Sequence, residues 1–126
     1  PNLIELRRVH GAGEQPYARP AHPYWARSAA PLGEDPLSHA AALAFMSDYL
    51  VILSVLAART PIDRPTGIRT VDHSLWFHRP VNAEDWHLFS SDPVSIWGGK
   101  GLVHGSVHTR QGTRVASFAQ EVIIPA

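Results

Sequence analysis

Between Asp35 and Arg59 the chain carries one formal charge, Asp48, inside the run Pro36-Leu-Ser-His-Ala-Ala-Ala-Leu-Ala-Phe-Met-Ser-Asp-Tyr-Leu-Val-Ile-Leu-Ser-Val-Leu-Ala-Ala58. Taken as a helix, Leu37, Ala41, Ala44, Phe45, Asp48, Ile52 and Val55 share one stripe, with Asp48 near its middle. The remaining faces hold Leu43, Met46, Leu50, Val51 and Leu53, so the helix expects cover nearly all round. A carboxylate under such cover costs several kcal/mol unless it is paired or hydrogen-bonded. Asp48 is therefore a functional-site candidate on physical grounds. The competing reading is a structural acid satisfied by backbone donors or an arginine.

Punctuation around this run gives the layout. Gly33-Glu-Asp-Pro is a helix start, with Asp35 able to cap and Pro36 suited to the first helical position. The helix is expected to run to about Ala58, followed by a loop over Thr60–Gly67. Upstream, Leu3–Val9 and Tyr24–Ala29 read as short strands flanking a loop rich in Gly and Pro over Gly11–Pro23. From Ile68 the period changes to two. Four strands are expected, Ile68–His78, Trp86–Trp97, Gly101–Arg110 and Thr113–Ile124. Gly98-Gly99-Lys100-Gly101 and Arg110-Gln111-Gly112-Thr113 read as hairpin connections, and Pro93 marks a bulge or an edge position. The expectation is an α+β domain in which a four-stranded antiparallel meander, with one or two earlier strands, forms a curved sheet around a central helix.

At 126 residues the chain suits one domain, 1–126, with one core. Lys plus Arg balances Asp plus Glu at 11 each, so no bulk field draws it to nucleic acid or anionic lipid. The absence of cysteine rules out disulfides and thiolate chemistry and fits a reducing, cytoplasmic compartment. Asp48, Ser47 and Ser54 interrupt the apolar run, so no membrane span is expected. A start at Pro1 without an initiator Met is read as a processed product or a piece of something longer.

Three other places carry chemistry-bearing types. On the last strand Phe118, Gln120, Val122 and Ile124 share a face, which puts an amide among apolar side chains. Gln120 can clamp backbone there, or hold a water or a carbonyl. Asp72-His73-Ser74 looks like a triad in text, but neighbouring strand side chains point to opposite faces and no Gly-x-Ser-x-Gly elbow exists. Thr70, at the head of the same strand, reads from position alone as a strand-end cap. His104 and His108 lie too far apart along a strand, roughly 13 Å, to share one metal.

Ala44-Phe-Met-Ser-Asp48-Tyr-Leu, Thr70-Val-Asp-His-Ser-Leu-Trp-Phe-His-Arg-Pro80 and Val115-Ala-Ser-Phe-Ala-Gln120-Glu together resemble the C-terminal half of the acyl-CoA thioesterase II (TesB-like) family. The Asp-His-Ser-Leu-Trp-Phe-His-Arg-Pro block is the specific part of the match. The resemblance implies a hotdog fold, a single repeat where the family usually has two, and hydrolysis of acyl-CoA to a free acid and CoA. By the same resemblance Asp48, Thr70 and Gln120 are the catalytic acid, hydroxyl and amide, acting on one water, with no metal or organic cofactor. The alternatives are a hotdog hydratase or dehydratase, and a non-catalytic acyl-CoA-binding or assembly module. Apolar residues on both faces of the last strand lead us to expect a homodimer or higher homo-oligomer.

Overall fold

The computed structural model describes residues 3–9, 23–49, 51 and 67–125. It contains β1 (Ile4–Arg8), β2 (Tyr24–Ser28), α1 (Pro36–Tyr49), β3 (Arg69–Phe77), β4 (His87–Trp97), β5 (Lys100–Thr109) and β6 (Arg114–Ile123). The expected loops over Gly11–Pro23 and Thr60–Gly67, and the helical tail toward Ala58, lie almost wholly outside the described residues. All six strands form one antiparallel sheet in the order β1-β2-β4-β5-β6-β3, with the helix against one face. This is the α+β hotdog layout.

Every expected strand is present within a residue or two of its expected ends, but the meander is shorter than expected. Only β4, β5 and β6 follow one another across the sheet, and β3 lies at the far edge beside β6. The connections explain the difference. Gly98 and Gly99, with φ of 64° and 76°, form a two-residue turn that forces β4 and β5 to be neighbours. Thr109 and Thr113 close the next hairpin around Gly112, whose φ is 90°. Nothing so tight joins β3 to β4, and β4's other edge is taken by β2. Pro93 falls at a bulge, between Pro93 and Ser95, on the part of β4 beyond its pairing with β2.

Asp35 caps the helix as expected: its Oδ1 accepts from the Leu37 N–H at 3.0 Å, and its carbonyl accepts from Ser38. His39 then ties the first turns to the loop before β4. Its Nδ1 accepts from the Ala83 N–H at 3.0 Å, so its Nε2–H donates to the Gly33 carbonyl at 2.7 Å. Tyr24 on β2 reaches the other end, donating to the Met46 carbonyl at 3.0 Å while its ring stacks on Phe89. Leu43, Met46 and Val51 bury against Phe89, Val103, Phe118 and Val122. Each such side chain contributes about 1.5–3 kcal/mol by leaving water.

The expectation of cover all round the helix is not met. His39, Leu43, Met46 and Ser47 are buried, whereas Leu37, Ala41, Phe45, Asp48 and Tyr49 are exposed, Phe45 at 59%. Only the sheet-facing side is covered, because the sheet reaches one side of the cylinder and the described residues put nothing on the other. Asp48 therefore stands in water and not in a greasy interior.

Candidate active site

The site is assembled where β3 and β6 meet the middle of the helix. Pairing between the two strands runs Arg69↔Ile123 and Thr70↔Val122, then shifts to Asp72↔Glu121 and His73↔Gln120. Val71 is the extra residue of a bulge. Val122 and Gln120 are both on the buried, helix-facing side of β6. The bulge thus puts Thr70 and His73, three apart in sequence, on the same face. Asp72 and Ser74 turn outward, so Asp72-His73-Ser74 forms no relay, as expected.

Gln120 is fully buried, at 0% exposure, and both ends of its amide are hydrogen-bonded within an apolar wall. Its Nε2 donates to Thr70 Oγ1 at 2.8 Å. Its Oε1 lies 2.7 Å from His73 Nδ1. The far ring nitrogen, Nε2, is 2.8 Å from Ser47 Oγ, which is also 2.8 Å from the Ala44 carbonyl of its own helix. A continuous hydrogen-bonded chain therefore runs from the hydroxyl of Thr70 on the edge strand, through the sheet, to the helix residue immediately before Asp48. Phe118 stacks on the His73 ring at 5.8 Å. Gly105 makes room for it, since a Cβ there would come within 2.0 Å of the Phe118 ring.

Of the three expected site residues, the structure joins Thr70 and Gln120 directly. Asp48 is not hydrogen-bonded to either. It follows Ser47 on the helix, and its charge reaches Tyr24, whose hydroxyl is pushed up, first by burial and second by Asp48. His73 and Ser47 were missed by sequence reasoning. Strict strand alternation assigns Thr70 and His73 to opposite faces, and no residue in Thr70-Val71-Asp72 announces a bulge. Ser47 had a visible signal, a hydroxyl on the sheet-facing side of an apolar helix. On the outer face, Glu121 lies opposite Asp72 and its carboxyl is raised by the hydrogen bond between them.

The family model for acyl-CoA thioesterases matches residues 5–123. The chain is similar to acyl-CoA thioesterase 2 of Haemophilus influenzae, 34% identical over 97 residues that make up 73% of this chain and 34% of that protein. It is similar to human acyl-coenzyme A thioesterase 8, 31% identical over 124 residues, 96% of this chain and 39% of the relative. Among solved structures, the acyl-CoA thioesterase II TesB2 of Mycobacterium marinum superposes with a TM-score of 0.82 at 29% identity, covering 98% of this chain and 49% of that one. The chain spans between a third and a half of the length of these proteins. With a sheet and helix that superpose on a solved thioesterase, and a sequence match across nearly all of its length, this chain belongs to the acyl-CoA thioesterase family.

Proposed function

We propose that this chain hydrolyses acyl-CoA thioesters, with Asp48, Thr70 and Gln120 holding one water against the thioester carbonyl. The observation that carries the reading is the Gln120–Thr70 bond, a buried amide spent on orienting a hydroxyl at the rim of the sheet. Asp48 accepts a proton from the water as its oxygen attacks the carbonyl carbon. The tetrahedral intermediate then expels the CoA thiolate, which takes up a proton, leaving a free acid and CoA. Holding water and thioester together supplies a large part of the acceleration.

We further propose that residues 1–126 form a single hotdog unit that works paired with a second one, most simply as a homodimer. β3 is an edge strand, with Val71, Trp76 and Phe77 exposed, and the helix leaves Phe45 and Tyr49 exposed beside Asp48 and Leu37 exposed near its start. Apolar surface of this kind marks an interface. A partner over it supplies the low-dielectric cover that Asp48 lacks. No helix among the described residues is long and apolar enough to cross a membrane, and a cytoplasmic location, supported by the absence of cysteine, belongs to the same proposal.

The test is release of free thiol from acyl-CoAs of graded chain length, followed with a thiol reagent. Steady turnover abolished by Asp48→Asn supports hydrolysis. The second reading, a non-catalytic acyl-CoA-binding module, is favoured by the exposure of Asp48 and, among the described residues, by the lack of a hydrogen bond from it to Thr70 or Gln120. Saturable binding without thiol release would establish it in place of hydrolysis.

A further inference from the structure

His73 links the sheet half and the helix half of the hydrogen-bonded chain, and hydrogen counting constrains what it does there. The Gln120 amide donates toward Thr70, so its Oε1 faces His73 and only accepts; Nδ1 of the ring must carry a hydrogen. A neutral imidazole then presents a bare Nε2, which requires the Ser47 hydroxyl as donor. Ser47 has one hydrogen and two acceptors at 2.8 Å, His73 Nε2 and the Ala44 carbonyl. The Ala44 carbonyl is a helix carbonyl that does not depend on a side-chain donor, whereas among the described residues a bare, half-buried Nε2 has no other donor, so the hydrogen goes to His73.

We propose that His73 is a positioning residue for the reaction: it takes the Ser47 hydrogen at Nε2, gives its own at Nδ1 to Gln120, and so fixes the amide with its N–H toward Thr70. Every donor in the chain then points from helix to sheet edge. The Thr70 hydrogen is left over at the end, free to be donated to the water or to the developing charge on the carbonyl oxygen. Phe118, seated over Gly105, keeps the ring from turning. Without His73 the amide is free to rotate by half a turn, Oε1 then accepts the Thr70 hydrogen, and the water loses its donor.

This rests on the hydrolytic reading for its kinetic consequence, but not for its structural content, and two measurements keep them apart. The first is a long-range ¹H–¹⁵N spectrum of the wild-type ring, which needs no activity. A single tautomer protonated at Nδ1 and bare at Nε2 is expected; protonation at Nε2 alone, or an exchanging mixture, overturns the proposal. The second is kinetic. His73→Leu is expected to lower kcat by as much as about 100-fold with KM little changed, as misplacing a reacting group does. His73→Asn, which retains a donor near Nδ1, is expected to recover a large part of that loss. Wild-type kcat in folded His73→Leu, or equal kcat in the two variants, overturns the positioning role. Absence of turnover in the wild-type chain would sink the hydrolytic reading and leave the spectrum to judge the ring.

Discussion

Asp48 is exposed in the single unit, so Asn in its place costs the fold of that unit little and the substitution reports on chemistry more than on folding. Turnover is expected to vanish while the melting temperature stays within the effect of about 0.5 kcal/mol typical of surface changes, as checked by paired thiol-release and melting curves. Gln120→Leu is expected to do both kinds of damage. It strips the partner from Thr70 and from His73 together, and an orphaned buried polar group costs about 1–3 kcal/mol, readable in urea titrations. Thr70→Val leaves the fully buried Gln120 Nε2 without that acceptor, so slowed turnover should come with a stability loss of the same order, about 1–3 kcal/mol. The types of these three residues and the apolar face around Gln120 were legible in the sequence. The environment of Asp48 was not: helical periodicity reports which residues share a stripe, but not whether the sheet or solvent faces it.

Among the elements, β6 carries the greatest demand, because Phe118 and Gln120 must fit between β3, β5 and the helix. Gly105→Ala is the sharpest probe of that fit. The new methyl meets the Phe118 ring head on, and overpacking of this sort costs about 1–3 kcal/mol. If the ring moves, the stack on His73 moves with it, so turnover should fall in the fraction that remains folded. Wild-type stability together with wild-type turnover would mean the ring relaxes without consequence. The strands themselves were readable from alternation and from the glycine turns. The position of β3 was not, since the segment from His78 to Trp86 carries no turn signal that dictates its neighbour.

For the molecule as a whole, acid is a threat through His87. Burial holds its imidazole below the ordinary value of 6.5, outweighing the Asp85 carbonyl bond and the Asp85 charge, which both act to raise it. The folded chain binds that proton less readily than the unfolded one. Stability is therefore fully present above 6.5 and is lost as pH falls through it, by up to about 1.4 kcal/mol per pH unit for one proton. Melting curves at pH 8 and pH 5 should diverge in the wild type and diverge less in His87→Gln, where His108, lowered by burial and by Arg114, keeps part of the same dependence. Assembly adds a second dependence at this scale. If the uncovered helix stripe and the β3 edge meet a second copy, the melting temperature should rise with protein concentration, and sedimentation at micromolar concentration should give a dimer. A monodisperse monomer with a concentration-independent melt would leave the stripe exposed in solution.

Val71 lets two residues separated by an odd number of steps look the same way, so the extra residue in β3 acts as a parity bit for everything before it. Remove it and Thr70, Asp72 and His73 face Val122, Glu121 and Gln120 in unbroken succession, so the ladder becomes regular with Thr70 still on the inner face. Deleting Val71 should then keep the Thr70–Gln120 bond and largely preserve both turnover and unfolding midpoint; a loss of turnover equal to that of Thr70→Val would mean that the bulge itself shapes the site. Inserting one further residue beside Val71, with a single extra residue still in the bulge, adds a step to the ladder, turns Thr70 to the outer face and should lower turnover as Thr70→Val does. For this family member the count of residues, as much as their identity, decides whether there is a site at all.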